Sequence, residues 1–159
     1  MILYHGSNLE VRQPRIMDRL RALDFGAGFY TTSSRDQAVK WAKAVVKRRQ
    51  TGAPCINRYY LNEADLNGIR VLKFDSPSEK WLDFVVQNRR GLPQASFDLV
   101  IGPVANDATL PVIDDYMDGK YTKKEAIDRL LPQNLTDQYA FLTPKALSVL
   151  AFKENEVLS

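Results

Sequence analysis

Residues 24–33 read Asp24-Phe25-Gly26-Ala27-Gly28-Phe29-Tyr30-Thr31-Thr32-Ser33, and this stretch decides the class of fold. Gly26 and Gly28 allow tight backbone bends, while Phe29 to Thr32 is built from aromatic and β-branched side chains that suit a strand. Ser33 or Ser34 then offers a helix N-cap, with Asp36 in the first turn. The order is therefore bend, strand, helix. In a Rossmann-type fold the glycine-rich loop follows a strand and opens a helix. Here the glycines precede the strand, and the chain has no G-x-G-x-x-G or Walker-type loop.

Working outward, Ala38, Trp41, Ala42 and Val45 recur at helical spacing, and Lys47, Arg48 and Arg49 suit a helix C-terminus, which Thr51-Gly52 ends. Upstream, the short apolar run before His5-Gly6-Ser7 reads as a strand ending in a turn, and a helical turn is expected around Asp18 to Leu23. Downstream, Cys55–Leu61 and Ile69–Phe74 read as strands joined by a polar connection. Ser78 to about Arg90 reads as a helix burying Trp81, Phe84 and Val85, and Phe97–Val104 as a buried strand. Residues 105–121 are expected to be irregular or partly helical. Thr122 caps a helix to Leu131 that Pro132 ends. Gln138–Leu142 and Leu147–Phe152 read as the last strands, with Thr143-Pro144-Lys145 starting the turn between them. Strands outnumber helices without alternating with them, so a mixed α+β fold in one domain over 1–159 is expected.

The 159 residues are 45% hydrophobic and 26% charged, a globular composition. No apolar run approaches a transmembrane length, and the start MILYHGSN lacks the basic and apolar regions of a signal peptide. The expected location is the cytoplasm. The single cysteine, Cys55, is read as a small core residue, and without a Cys/His cluster no structural zinc or other metal site is expected. The net charge of +3 and pI near 9.0 favour anionic ligands. Basic residues gather at Arg12, Arg15, Arg19 and Arg21, and again at Lys43, Lys47, Arg48 and Arg49, where a solvated helix face is the simpler reading.

The only histidine, His5, closes an apolar strand ahead of Gly-Ser. A ring there can donate to a sugar hydroxyl or carry a proton, although a structural histidine satisfied by its neighbours fits the same position. Tyr30 offers a flat ring beside glycines that let backbone approach a ligand. Phe29 and Tyr30 face opposite sides of their strand, so one joins the core while the other can line a cleft. Asp137 or Gln138 can project from the start of a late strand. Asn106-Asp107 follows a Gly-Pro turn and reads first as a helix cap.

Three segments, in this order, resemble the core motifs of the ADP-ribosyltransferase superfamily, its poly(ADP-ribose)-polymerase and diphtheria-toxin branch in particular. Leu3-Tyr4-His5-Gly6-Ser7 resembles the first motif, Gly26-Ala27-Gly28-Phe29-Tyr30-Thr31-Thr32 the second, and Asp137-Gln138-Tyr139-Ala140-Phe141 the third. Tyr4 to Ser7, Asp24 to Thr32, Val104 to Thr109 and Thr136 to Thr143 are also similar to a bacterial family of uncharacterised ADP-ribosyltransferase-like proteins. The resemblance implies two small mixed or antiparallel sheets around a cleft for NAD⁺, flanked by helices. It implies that His5 holds a ribose, that the Gly6 backbone holds the carboxamide, and that Tyr30 stacks on nicotinamide, with Ser7, Gly28 and Thr31 beside them. Gln138 stands where the family usually carries a catalytic glutamate. A glutamine can hydrogen-bond a ribose hydroxyl but cannot act as a base, which argues against polymer elongation and leaves mono-ADP-ribosyl transfer with catalytic residues His5, Tyr30 and Gln138; Asp107 is a candidate substitute acid. The implied partners are NAD⁺ as substrate, a protein or nucleic-acid acceptor and, for a toxin or signalling effector, an inhibitory protein, with no membrane. A catalytically silent binding module of the same fold, recognising NAD⁺, ADP-ribose, a nucleotide end or a partner, is the alternative.

Overall fold

The computed structural model describes residues 1–16, 24–92, 96–105 and 108–159. The expected helical turn at 18–23, the cluster members Arg19 and Arg21, and Asn106-Asp107 lie outside them. Strand β1 (Ile2–Ser7) is followed in the chain by β2 (Phe29–Thr31) and helix α1 (Arg35–Arg49). Then come β3 (Cys55–Leu61), a 3-10 turn at Glu63–Leu66, β4 (Val71–Lys73), α2 (Glu79–Arg89) and β5 (Leu99–Pro103). The chain continues through α3 (Leu110–Met117), α4 (Lys123–Leu130), a 3-10 turn at Leu131–Gln133, β6 (Asp137–Phe141), α5 (Pro144–Leu147) and β7 (Leu150–Val157).

The strands form two small sheets. One is antiparallel, in the order β1-β3-β7; the other is mixed, in the order β2-β6-β5-β4, with β4 parallel to β5. Mixed α+β, as expected, is what the chain adopts.

Side-chain alternation assigns each sheet face. Leu3, Tyr59 and Leu61 from the first sheet meet Phe29, Leu99, Ile101 and Phe141 from the second, forming a core between the sheets. The outer face of the second sheet, including Val100 and Ala140, is covered by Trp81, Leu82 and Val85 of α2, Ile113 of α3 and Ala126 and Leu130 of α4. The outer face of the first sheet is covered by α1. A β-carbon on Gly6 would lie 2.1 Å from the Ala38 carbonyl oxygen and 2.6 Å from the Ala42 nitrogen. Only glycine lets β1 and α1 approach this closely.

Local chemistry explains the elements. Ser34 caps α1 by accepting from the Gln37 N–H, and Gln50 ends it in a left-handed conformation at φ 53°. Ser78 caps α2. Thr122 and Glu125 form a reciprocal capping box on α4. Two expectations are corrected. The Thr143-Pro144-Lys145 turn is the start of a helix, because the Thr143 hydroxyl accepts from the Ala146 N–H and Pro144 suits the first helical position. The last strand, expected over Leu147–Phe152, starts at Leu150, since Leu147 belongs to α5, and runs on to Val157, because Asn155, Glu156 and Val157 pair with Asn57, Ile56 and Cys55 although the sequence there is mostly polar.

Candidate functional site

The two sheets touch at one backbone bridge. Tyr4 and Thr32 exchange both hydrogen bonds, Tyr4 N–H to Thr32 O at 2.8 Å and Thr32 N–H to Tyr4 O at 2.9 Å. In an antiparallel ladder, backbone groups alternate between the two edges. Tyr4 spends its pair on β2, so Gly6, two residues on, turns its N–H and C=O to that same edge, away from β3. By the same alternation Tyr30 turns its carbonyl away from β6 and toward β1. The His5 Nδ1 closes this seam, 2.7 Å from the Tyr30 oxygen. A carbonyl can only accept, so Nδ1 carries the proton in the neutral ring and Nε2 is its acceptor. The ring lies 4.2 Å from that of Phe29, centroid to centroid, in the space between the sheets.

Phe29 and Tyr30 divide as their strand requires. Phe29 is buried in the inter-sheet core and Tyr30 is half-buried on the opposite face. The Tyr30 hydroxyl donates to the Gly26 carbonyl at 2.6 Å and accepts from the Phe25 N–H at 3.0 Å, which fixes the Asp24–Gly28 loop beneath the ring. A β-carbon on Gly28 would meet Phe141 O at 2.8 Å and Leu142 Cδ2 at 2.6 Å. That glycine therefore serves the packing of β2 on β6.

Register places Tyr30 opposite Ala140, and Gln138 two residues along β6 on the same face. The structure thus brings Tyr30 and Gln138 to one side of the second sheet and His5 to the seam at its edge. Ser7 and Thr31 are different: both are buried. The Thr31 hydroxyl donates to the Tyr139 carbonyl at 3.1 Å, and the Ser7 hydroxyl lies 3.5 Å from Asn8 Oδ1.

Gln138 is only 2% exposed, and its amide is engaged. Nε2 donates to Asp24 Oδ2 at 3.2 Å and to the Pro103 carbonyl at 3.4 Å. Asp24 is itself buried, ion-paired to Arg89 at 2.6 Å, and accepts from the Ala105 N–H at 3.1 Å. Asn88 donates to the Asp24 carbonyl. One carboxylate thus ties together the loop before β2, the end of α2, the end of β5 and the start of β6. Sequence reasoning missed Asp24 and Arg89. Asp24 reads as a loop residue before Phe-Gly, and Arg89 as an ordinary cation at a helix C-terminus.

Asp137 points to the other side of β6, accepting from the Ser33 N–H at 2.8 Å, the Ser33 hydroxyl and the Thr32 hydroxyl, and so braces the turn into α1. Cys55 is a buried free thiol, as expected. Asn57, fully buried in β3, accepts from Val11 N–H and Asn155 Nδ2 and donates to the Leu9 carbonyl; Tyr59 OH donates to the Val11 carbonyl. The three bonds to Leu9 and Val11 hold the segment after His5-Gly6-Ser7 against the first sheet, and the fourth ties β7 to β3. Burial raises the Tyr59 phenol well above its ordinary pKa. Among the described residues no group of His, Cys, Asp and Glu could hold a metal ion, and no helix is long and apolar enough to cross a membrane.

These features define a mixed α+β protein in which two small sheets meet at a polar seam around His5, Gly6 and Tyr30. The chain belongs to the family described as "Protein of unknown function (DUF3990)", whose model matches residues 1–152. No curated protein matches it.

Proposed function

We propose that the chain is a mono-ADP-ribosyltransferase of ADP-ribosyltransferase-like fold, holding NAD⁺ at the seam between its sheets, releasing nicotinamide and passing ADP-ribose to a macromolecular acceptor. The observation that carries this reading is the pairing of an outward-turned Gly6 backbone with a His5 ring locked onto the Tyr30 carbonyl. An N–H and a C=O on one residue match the C=O and NH₂ of a carboxamide. The bond from Nδ1 to the Tyr30 carbonyl fixes the orientation of the ring and makes Nε2 the nitrogen that would face a ribose hydroxyl. The Tyr30 ring, its hydroxyl already satisfied, offers a face for nicotinamide. In this chemistry the C–N glycosidic bond breaks, nicotinamide leaves with the bonding electrons, and the acceptor's nucleophile attacks the oxocarbenium-like carbon. Positioning and electrostatic stabilisation supply most of the acceleration.

A second reading, the silent binding module, rests on one observation: the Gln138 amide is spent on Asp24 and Pro103, and Asp24 is spent on Arg89. No carboxylate at that position is left to steady a developing cation.

Incubation with NAD⁺ separates the two. Nicotinamide release, followed by mass, is expected from the wild-type chain and lost in His5→Ala and Tyr30→Ala. NAD⁺ binding by calorimetry without release assigns the binding module. Unchanged NAD⁺ affinity in both variants disproves the assignment of the site.

A further inference from the structure

The outer face of α1 has no part in the chemistry above. This helix carries six basic residues and one acid, Asp36. The whole chain has 22 basic and 19 acidic residues, so everything outside α1 holds 16 against 18. The positive charge of the protein therefore resides on one helix.

Lys40, Lys43 and Lys47 recur at helical spacing along a single face, and all three are exposed. The opposite face, Ala38 and Ala42, is buried against Gly6. Arg35 is neutralised by Glu156 at 2.7 Å, and Arg49 donates to Asn8. Among the described residues, no carboxylate ion-pairs with Lys40, Lys43 or Lys47. Like charges three and four residues apart repel and weaken a helix, and a covering polyanion relieves that repulsion.

The chemistry of this face selects its partner. Protein interfaces rely on apolar and aromatic anchors. Among the described residues the exposed large hydrophobic side chains are Leu9, Tyr60, Val71, Leu92, Leu131 and Val157, none of them on α1. A helix lying on a membrane needs a free apolar face, and that of α1 is spent on β1. A row of flexible ammonium groups remains, spaced along the axis by about 4.5 and 6 Å at the rise of an α-helix. That pattern suits the repeated point charges of phosphates.

We propose that the Lys40–Lys43–Lys47 face of α1 binds the phosphate backbone of nucleic acid, without reading sequence. The proposal stands apart from the NAD⁺ reading and does not depend on it.

The test is fluorescence anisotropy of a labelled DNA duplex titrated with the purified chain over a series of salt concentrations. The wild type is expected to bind at low salt with a steep decline in log K against log salt. In Lys40→Gln/Lys43→Gln/Lys47→Gln that slope becomes shallower by about 2.7, the loss of three phosphate contacts. Lys80→Gln/Lys124→Gln/Lys153→Gln removes equal charge from exposed positions elsewhere and should leave the slope near wild type, with circular dichroism unchanged in both variants. Absence of duplex binding at low salt overturns the proposal. So does an α1 variant that keeps the wild-type slope, or equal losses in the two variants, which would reduce the effect to net charge. Displacement by polyglutamate as effective as displacement by DNA of equal charge would assign the face to acidic proteins and overturn it too.

Discussion

At the scale of single residues, Gln138 shows how one position can look degenerate and yet be specified. Its neighbours Asp24 and Pro103 present two acceptors, so a side chain with donors is needed there. A glutamate at this position would face a second carboxylate, that of Asp24. Gln138→Glu is expected to destabilise the fold by about 1–3 kcal/mol near neutral pH, with a smaller deficit in acid, where one of the two carboxyls takes a proton. Denaturant melts across pH would show this. Asp24→Asn leaves the Arg89 guanidinium without its charge partner and should cost about 3 kcal/mol, read in the same way. Gly6→Ala forces a methyl group onto the Ala38 carbonyl. A loss of about 1–3 kcal/mol is expected, and a thermal midpoint equal to wild type would show that α1 can shift to accept it. Tyr30→Phe separates ring from hydroxyl: it should cost about 1 kcal/mol of stability and, on the proposed function, should spare the NAD⁺ affinity that Tyr30→Ala is expected to remove.

At the scale of elements, the joints between segments hold the chemistry. Asp98 accepts from the Arg70 N–H at 2.9 Å and from the Thr143 hydroxyl at 2.8 Å, joining β4, β5 and α5. The Arg70 backbone bond, followed by that of Thr143, holds its carboxyl below the ordinary value of 3.8. A depressed carboxyl contributes stability that is complete above the unfolded value and lost as pH falls through the folded one. Acidification below about 4 should therefore loosen this joint. Amide exchange at Leu99 and Leu142 measures it, and Asp98→Asn should blunt the dependence. Thr122→Ala removes half of the α4 capping box and should cost about 1 kcal/mol. Much at this scale was legible in the sequence. Ser34, Ser78 and Thr122 announce their helices, and Cys55–Leu61 is a strand with the bounds its apolar run suggests. β7 was legible only as far as Phe152, because its outer half carries no apolar signal and is held by pairing to β3. Phe84 was expected in the buried face of α2, where Leu82 and Val86 are buried instead and Phe84 packs from the side. Of the candidate site, His5, Gly6 and Tyr30 were legible because motifs mark them. The Asp24–Arg89–Gln138 network was not, since its members lie far apart in the chain and each has an ordinary local explanation.

At the scale of the whole molecule, the sheets are closed by strands distant in sequence. β1 pairs with β3, β3 with β7, and β2 with β6. Tyr30 on β2 finds Ala140 on β6, and Asp24 finds Gln138, across more than a hundred residues. Such non-local pairing predicts slow folding for a chain of this size, which stopped-flow refolding would check. It also sets a schedule during translation. A ribosome that has delivered His5, Tyr30 and all of α1 has produced nothing that can complete the second sheet, because β6, which enters between β2 and β5, lies far downstream of them in the chain. A nascent chain stalled before Asp137 should stay sensitive to protease at β2, whereas one released after Val157 becomes resistant. On the proposed reading, whose substrate NAD⁺ is present throughout the cell, the side of the second sheet that carries Tyr30 is completed only once β6 has left the exit tunnel, which would keep a half-made chain from its substrate.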